Sequence, residues 1–363
     1  MKKAMVILIL LVLLAAIVYT GRHIWLILPA PVWTKWLVAG LYTFAASSFF
    51  ILLAFERHIP MGLATSLYEI GTSWMIFFAY ALLLFLLLDG LQLVHLVPEA
   101  FLRHSPAGTF LVTALNGSLL TYGYFHYQHK HREGIDIRTE KPLERDLTIV
   151  MASDLHIGYH NRAGEVARWV EMINAEQPDL VLFAGDIIDG FIRPAQGMEN
   201  IFQSLRAPVY ACLGNHEYLV GQGASTAFLA DAGITLLRDS AIVDRGIRII
   251  GRDDRSNPRR RPLAELTPKD SLFTIVLDHQ PLALEEAEDA GVDFQFSGHT
   301  HHGQIWPGNL ITDAIFEKAY GHHRRGATRY YISSGLGIWG GKFRIGTRSE
   351  YVVLHLSRKE GWE

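Results

Sequence analysis

The chain has 363 residues, of which 50% are hydrophobic and 19% charged, and its formal net charge at pH 7 is -3. This slightly acidic balance argues against a general nucleic-acid binder, and the single cysteine excludes an internal disulfide bond. That cysteine, Cys212, lies in the apolar run 209–213, so we expect it to be buried. Most charged residues lie after residue 130, which predicts an apolar N-terminal domain followed by a soluble domain of about 230 residues.

Four long apolar stretches predict a membrane domain over residues 1–128. Each approaches the roughly 20 residues that a helix needs to cross the hydrocarbon core. They cover residues 4–20, 36–55, 72–88 and 107–125. A soluble bundle would show a polar stripe, and a cleaved signal peptide would end in small residues rather than in Tyr19-Thr20-Gly21-Arg22. We therefore predict a multi-pass domain of about four helices. The segment 25–33, with Pro29 and Pro31, could be re-entrant or extend the first helix.

The basic residues of the connecting segments predict the orientation in the membrane. With four spans both ends of the domain lie on one side, and that side holds more basic residues than the other. The first group is Lys2, Lys3, Arg57, Lys130, Arg132, Arg138 and Lys141, and the second is Arg22, Lys35 and Arg103. We therefore expect the soluble domain on the cytoplasmic side of the inner (plasma) membrane.

Residues 129–146 are rich in His, Lys, Arg and Glu and are predicted to be a solvated linker; the other interpretation is a collar that touches acidic lipids. From residue 147 to 363 apolar runs alternate with helical patterns. The predicted strands include 147–152, 180–184, 248–251 and 351–356, and the predicted helices are 164–176, 195–205, 224–232 and 282–290. A strand, a loop and a helix repeat four times, which predicts a layered α/β sandwich.

Five short polar motifs occur in order within this domain, and most follow an apolar run suited to a buried strand. They are Asp154-Leu155-His156, Gly185-Asp186-Ile187-Ile188-Asp189, Gly214-Asn215-His216-Glu217, Asp278-His279 and Gly298-His299-Thr300-His301. Each motif supplies carboxylate, amide or imidazole donors. Because ligand sites on open α/β sheets lie where loops leave the strands, we expect the five motifs to meet at one rim.

These donors match the needs of phosphate ester hydrolysis. Two divalent ions about 3.5 to 4 Å apart would acidify a shared water and neutralise the phosphoryl oxygens. One carboxylate must then bridge the ions, and Asp186 is the natural candidate because Gly185 beside it leaves room for close approach. The motifs therefore predict a hydrolytic centre with two metal ions.

The motif series resembles that of the calcineurin-like metallophosphoesterases over roughly residues 145–357, and the Gly298 to Gln304 segment is similar to a bacterial, membrane-associated branch with a GHTHxGQ motif. The resemblance implies a layered α/β/β/α sandwich over residues 147–363. It also implies two ligand sets. One metal would be held by Asp154, His156, Asp186 and His301, and the other by Asp186, Asn215, His279 and His299.

The resemblance leaves His216 free of metal and implies that it protonates the leaving oxygen or stabilises the charge there. Asp189 would orient its ring. Glu217 is expected to hold the loop that carries Asn215, and His302 is interpreted as a rim residue rather than a third kind of ligand. The donor set lacks a thiolate, which favours manganese, with iron or zinc as alternatives.

The function predicted from these features is a membrane-anchored phosphohydrolase that cleaves a phosphodiester or pyrophosphate bond by attack of a metal-bridging hydroxide. Its partners would be membrane lipids and a phosphorylated lipid or lipid-linked substrate. Two alternatives stay open: a tethered nucleotide or cyclic-nucleotide phosphodiesterase, and a non-catalytic membrane receptor or scaffold with a decayed domain. Nothing in the sequence indicates the oligomeric state.

Five arginines between residues 252 and 261 form the densest charge cluster outside the motifs. They are Arg252, Arg255, Arg259, Arg260 and Arg261. Guanidinium groups suit phosphate and diphosphate, so the cluster could bind a polyanionic substrate or anionic lipid. The plainer interpretation is a flexible, exposed loop around Pro258.

Overall fold

A computed structural model describes residues 2–359, with side chains from residue 4 onward. The chain divides into an N-terminal unit, Met1–Phe125 with Gly340–Lys342, and a C-terminal unit, His126–Trp339 with Phe343–Glu363. The last four residues of the predicted 147–363 domain lie outside the described residues, as do the side chains of Lys2 and Lys3 that entered the orientation argument.

Prolines set where the helices of the N-terminal unit begin. Pro31 and Pro60 immediately precede the second and third helices, and Pro106 is the first residue of the fourth. Proline suits these places because the first turn of a helix needs no partner for its backbone N–H. The helices are α1 (Lys2–Ile27), α2 (Val32–Phe55), α3 (Met61–Leu93) and α4 (Pro106–Gln128).

Three of these helices are long and apolar enough to cross a membrane: Ala4–Ile27, Val32–His58 and Met61–Leu93. Many of their apolar side chains are exposed; Leu8 and Val12, for example, are 60% and 61% exposed. An exposed apolar surface of this kind is suited to contact with lipid rather than with water. The fourth predicted span forms α4, but Asn116, Ser118 and several threonines make it more polar. The number of crossings therefore stays a prediction.

The first helix runs further than its apolar stretch. It continues to Ile27, so residues 25–27 extend α1, and Pro29 and Pro31 lie in the turn before α2. Ile27 packs with Phe85 of α3 and Val112 of α4 in the apolar core of this unit.

Two mixed six-stranded sheets form the centre of the C-terminal unit, in the orders β1-β12-β2-β3-β4-β5 and β10-β11-β9-β8-β7-β6. The strands are β1 (Lys130–Thr139), β2 (Leu147–Ala152), β3 (Leu180–Ala184), β4 (Val209–Cys212), β5 (Thr235–Leu236), β6 (Ser240–Asp244), β7 (Ile247–Gly251), β8 (Phe273–Leu277), β9 (Phe294–Ser297), β10 (Gly321–Arg325), β11 (Thr328–Ile332) and β12 (Ser349–Arg358). The helices are α5 (Ala163–Ala175), α6 (Glu199–Phe202), α7 (Asn215–Val220), α8 (Gln222–Asp231), α9 (Glu285–Asp289) and α10 (Gly308–Ile315).

Alternation along the strands divides the apolar side chains between three layers of core. In β2, Ile149 and Met151 belong to the core shared by the two sheets, whereas Val150 belongs to the core shared with Trp169 of α5. The outer face of the second sheet packs against Leu263 and its neighbours. Successive side chains of a strand point to opposite faces, so each sheet is covered on both sides. The predicted layered α/β/β/α sandwich is confirmed.

Parallel pairing brings the strand ends to common edges. In the first sheet β2, β3, β4 and β5 are parallel neighbours. In the second sheet β7, β8 and β9 are parallel neighbours. The loops that leave the carboxyl ends of each parallel set therefore emerge side by side, which is where the polar motifs lie.

Some local predictions were wrong. Residues 129–146 are not simply a linker, because β1 occupies Lys130–Thr139 and pairs in parallel with β12. Its alternating pattern buries Ile135 and Ile137 and exposes the charged residues Asp136 and Arg138 that follow each of them. The helix predicted over 195–205 is shorter and forms only α6, which begins after Gly197 with its φ of 86°. The helix predicted over 282–290 is α9, which begins only after Ala283, whose φ of 51° is not helical.

Candidate metal centre

The loops after five strands carry all the predicted site residues of the C-terminal unit. Asp154 and His156 follow β2; Asp186 and Asp189 follow β3; Asn215 and His216 begin α7 just after β4; His279 follows β8; and His299 and His301 follow β9. Both sheets therefore contribute, and the side chains meet although they are up to about 150 positions apart in the chain.

One cluster contains Asp154, His156 and His301, whose donor atoms lie close enough to hold a metal ion. The Nε2 atoms of His156 and His301 are 3.0 Å apart. The Nε2 atom of His301 lies 3.4 Å from Oδ1 of Asp154, and that of His156 lies 3.7 Å from Oδ2 of Asp186. Two imidazole nitrogens and two carboxylates thus face a common point.

A second cluster contains Asp186, His279 and His299. The Nε2 atom of His279 lies 3.1 Å from Oδ2 of Asp186. Its Nδ1 atom lies 2.8 Å from the carbonyl oxygen of Ala184, which fixes the ring with Nε2 directed into the site. The amide oxygen of Asn215 lies 2.9 Å from Nδ1 of His299. Asn215 therefore joins this second cluster.

Asp186 connects the two clusters, since its Oδ2 atom contacts histidines of both. Burial disfavours its charge, but the positive charges of His279, His216 and His156 outweigh burial and hold the pKa of Asp186 well below its usual range. The carboxylate is 2% exposed and also accepts the backbone N–H of His216 at 2.9 Å. An ionised carboxylate between two imidazole groups has the geometry of a bridging ligand.

His216 and Asp189 form the predicted pair, and His216 also lies close enough to His156 and Asp186 for the three to hold a metal ion. The Nδ1 atom of His216 lies 3.2 Å from Oδ1 of Asp189, and its Nε2 atom lies 4.0 Å from Oδ2 of Asp186. Burial lowers the pKa of His216, but the charges of Asp186 and Asp189 raise it to about 9. The ring can thus carry a proton at neutral pH.

The backbone at the site adopts a conformation that side chains rarely tolerate. Left-handed φ values occur at five of the predicted ligands: Asp154 (54°), His156 (44°), Asp186 (50°), His299 (72°) and His301 (47°). Each such residue costs about 1–3 kcal/mol, and conformations of this kind concentrate at functional sites. The surrounding fold must therefore offset this unfavourable free energy to hold these side chains in place.

Two glycines are required by the close approach of the carboxylates. A Cβ atom on Gly214 would lie 2.2 Å from Oδ1 of Asp186, and one on Gly298 would lie 2.2 Å from Oδ2 of Asp154. Any other residue would displace the carboxylates.

Glu217 supports the loops, as predicted, and belongs to none of the candidate metal-holding groups among the described residues. It is fully buried, and its carboxylate accepts the backbone N–H groups of Asp186 at 3.0 Å, Ile188 at 3.0 Å and Gly214 at 2.7 Å. One side chain therefore ties the loop after β3 to the start of α7.

His302 lies at the rim. Its ring stacks on Tyr320 at 4.7 Å, and its Nε2 atom lies 3.5 Å from Asp313.

The sequence motifs missed Arg344, which is fully buried beside His301. Its guanidinium donates to the carbonyl oxygens of His301 at 2.8 Å, Ser334 at 2.5 Å and Gly337 at 3.1 Å. Burial lowers the pKa of Arg344 to about 10. No motif marks this arginine, because its contact with the metal centre is made through the carbonyl oxygen of His301, 43 positions away in the chain.

The donor set fits divalent ions. The Nε2 atom of His279 is buried and faces the carboxylate of Asp186 at 3.1 Å. Burial lowers the pKa of both His299 and His301, which keeps these imidazoles in the neutral form that binds metals. Carboxylate, amide and imidazole donors without a thiolate suit manganese, iron or zinc. The individual ligand assignments stay predictions.

Comparison with known proteins agrees with this site. The model of the calcineurin-like phosphoesterase family matches residues 147–303. An uncharacterized metallophosphoesterase of Aquifex aeolicus is 31% identical over 62% of this chain and 92% of its own length. One of Helicobacter pylori strain J99 is 31% identical over 60% of this chain and 61% of its own length, so the chain spans less than two thirds of that relative. A bovine transmembrane protein with a metallophosphoesterase domain is 28% identical over 59% of this chain and 54% of its own length.

Proposed function

Because this chain belongs to the calcineurin-like phosphoesterase family, we propose that it is a membrane-anchored phosphohydrolase that needs two divalent metal ions and cleaves a phosphodiester or pyrophosphate bond in a lipid or lipid-linked substrate. The narrower assignment to a bacterial membrane-associated branch stays part of this proposal. One observation carries it: an exposed apolar helix adjoins the loop that holds His301.

That helix is α10, whose residues are all at least partly exposed. Leu310, Ile311 and Ile315 are 57%, 61% and 66% exposed, and Ile311 and Ile315 are four positions apart, on one face of the helix. Trp306, 52% exposed, precedes the helix. Apolar surface of this kind on a soluble unit favours contact with lipid or an apolar ligand.

The link between α10 and the metal centre is short. The backbone N–H of Gly308 donates to the carbonyl oxygen of Ile305 at 2.7 Å, and a Cβ atom on Gly303 would clash with Gly308 at 2.1 Å. Phe316, just after α10, lies 6.1 Å from the ring of His299. A lipid substrate whose acyl chain lay against α10 would thus have its phosphate group close to the metal ligands.

Membrane anchoring is supported by the three candidate spans and by the bovine relative. Our proposal further includes an inner-membrane location with the catalytic unit in the cytoplasm. This orientation requires an even number of crossings, with α4 as the fourth. Reporter fusions after Leu93 and after Gln128 test it, because they must report opposite sides if α4 crosses and the same side if it does not.

Two divalent ions, with manganese as our candidate, would supply an acidified water and neutralise the phosphoryl oxygens. The chain's own residues divide the remaining work. Asp186 would hold both ions, and His216 would hold a proton at Nε2 for the leaving oxygen, with Asp189 orienting the ring through Nδ1. The arrangement of His216 and a full set of donors also argues against a decayed, non-catalytic domain.

The test is a turnover assay on the full chain purified in detergent with Mn²⁺. Bis-p-nitrophenyl phosphate, a panel of nucleotides and lipid extracts are offered in parallel. We expect turnover of the model diester and of a lipid fraction. Turnover of nucleotides alone would remove the lipid proposal in favour of a tethered nucleotide phosphodiesterase, and no turnover of any substrate would favour a receptor or scaffold.

A matched pair of variants tests the role of α10. Ile311→Ser with Ile315→Ser should slow lipid turnover while leaving the model diester unchanged, because the ester itself does not need an apolar surface. Val243→Ser is the control, since Val243 is 54% exposed on β6, away from the metal ligands. Equal effects of both changes on the lipid would contradict the proposal.

A further inference from the structure

The arginine cluster of residues 252–261 is partly buried rather than a wholly exposed loop. Arg252 is 3% exposed, and the side chain of Arg260 is 9% exposed. The side chain of Arg255 is 27% exposed. Burying guanidinium groups is costly unless their charge is compensated.

Carboxylates and carbonyls orient these arginines. The Nη1 atom of Arg252 donates to Oε2 of Glu286 at 2.5 Å, and Nη2 of Arg255 donates to the carbonyl oxygen of Leu282 at 2.5 Å. Arg260 donates to the carboxylate of Asp278. Each guanidinium is therefore held in one position by a partner at one end.

These partners do not saturate the donors. Among the described residues, the Nε atoms of Arg252, Arg255 and Arg260 and the Nη1 atom of Arg260 are buried without a hydrogen-bond acceptor. A guanidinium offers only donors, so a further ligand must bring acceptors. Phosphate-type oxygens fit this fork best, because they accept paired, charge-assisted hydrogen bonds.

The same side chains line a cavity of about 520 Å³. Its lining contains four arginines but only two carboxylates, Glu286 and Asp289. The volume falls within the usual range of about 300–1,000 Å³ for small-molecule sites. The cavity thus has room for a phosphate-bearing group, and its four arginines face three carboxylates when Asp278, the partner of Arg260, is counted.

The cavity lies at the same sheet edge as the metal centre. Arg252 directly follows β7, and its backbone N–H donates to the carbonyl oxygen of Leu277 at the end of β8, at 2.9 Å. Asp278, the partner of Arg260, directly precedes His279. A ligand that occupied both the metal centre and this cavity would need two anionic groups.

We propose that Arg252, Arg255 and Arg260 form an anion-binding site for a phosphate-type group, separate from the metal ions. The group is either the second phosphate or headgroup of a lipid, or free phosphate or pyrophosphate. The site needs no catalytic turnover, so its test is independent of the proposed function.

Binding of inorganic pyrophosphate to the full chain in detergent is measured calorimetrically, both as purified and after chelation of metals. Arg255→Gln is the test variant, since this side chain reaches the surface and its loss leaves the Arg260–Asp278 pair intact. We expect at least about tenfold weaker binding in both states, the usual loss for a charge-assisted hydrogen bond. The affinity of Arg255→Lys for pyrophosphate should lie between those of the wild type and Arg255→Gln, because lysine keeps the positive charge but cannot form the paired hydrogen bonds of a guanidinium group.

Arg259→Gln is the matched control, because it removes the same charge from an exposed residue that does not line the cavity. Wild-type binding no tighter than that of Arg255→Gln, or equal losses in Arg255→Gln and Arg259→Gln, would overturn the site. Mixed micelles with phosphatidic acid then identify the source. If phosphatidic acid competes with pyrophosphate, the site binds a lipid headgroup. If it does not compete, while pyrophosphate binding still depends on Arg255, the site binds a soluble phosphate.

Discussion

The Oδ1 atom of Asp189 lies 3.2 Å from Nδ1 of His216 and 3.5 Å from Nδ1 of His156. One carboxylate thus orients both the candidate proton donor and a candidate metal ligand. Burial raises the pKa of Asp189, but hydrogen bonding with His156 and His216, together with the charges of His156 and His160, lowers it below the usual range, which keeps the carboxylate ionised. Asp189 is 2% exposed, so water competes little for these contacts.

The first prediction concerns His216→Ala. Our proposal makes His216 a proton donor and not a metal ligand, so both metal ions should remain bound. Turnover of a substrate with a poor leaving group should fall about 10²- to 10⁴-fold, the range for loss of a general acid. A p-nitrophenyl leaving group should restore part of the rate. Metal analysis with kinetics on both substrates checks this, and loss of a metal would make His216 a ligand.

Asp189→Asn should have a broader effect than His216→Ala. The amide keeps the size of the side chain but loses the charge that orients both imidazole rings. We therefore expect slower turnover together with weaker metal binding, because His156 is no longer held. Titration of the chelated protein with Mn²⁺ measures the second effect. Unchanged metal affinity would show that Asp189 serves His216 alone.

Asp186→Ala should abolish turnover and reduce the bound metal to one ion or none, since it removes the carboxylate that contacts both clusters. Elemental analysis of the purified variant gives the stoichiometry. Asp136→Ala is a suitable control, because Asp136 is exposed on β1. Two bound ions in Asp186→Ala would show that another residue bridges them.

The sequence could predict that the candidate ligands meet, because each of them lies in a loop that follows a strand. The parallel strands β2, β3 and β4 then bring Asp154, Asp186 and Asn215 to one edge without any detail of side-chain packing. The same reasoning placed His279 at the end of β8. Strand ends are thus local signals with a spatial consequence.

Features that depend on distant partners were not predictable. Arg344 binds carbonyl groups of loops that the sequence does not mark. The strand β1 lay hidden among charged residues, because only Ile135 and Ile137 show its alternation. The position of α10 beside the loop that carries His301 likewise could not be predicted from the sequence of the helix itself.

Glu217→Ala should destabilise the C-terminal unit. It leaves the buried N–H groups of Asp186, Ile188 and Gly214 without an acceptor, and each such group costs about 1–3 kcal/mol. We expect a loss of about 3 kcal/mol or more in the free energy of unfolding, measured by denaturant titration. Glu171→Ala, an exposed position on α5, should change it by less than about 0.5 kcal/mol.

Cys212 should not react with thiol reagents in the folded protein. It is fully buried in β4, and burial raises the pKa of its thiol well above the usual range. Reaction with a disulfide reagent should begin only as the unit unfolds. Rapid labelling of the native protein would mean that the end of β4 opens to solvent.

Because the first sheet supplies Asp154, His156, Asp186 and Asn215 while the second supplies His279, His299 and His301, any ion bound among them fastens one sheet to the other. Binding that is restricted to the folded chain stabilises it by about 2.7 kcal/mol when the free ion is present at one hundred times its dissociation constant. Heat resistance of the C-terminal unit should therefore follow the supply of metal, and melting curves recorded with and without chelator would report ion occupancy before any substrate is known.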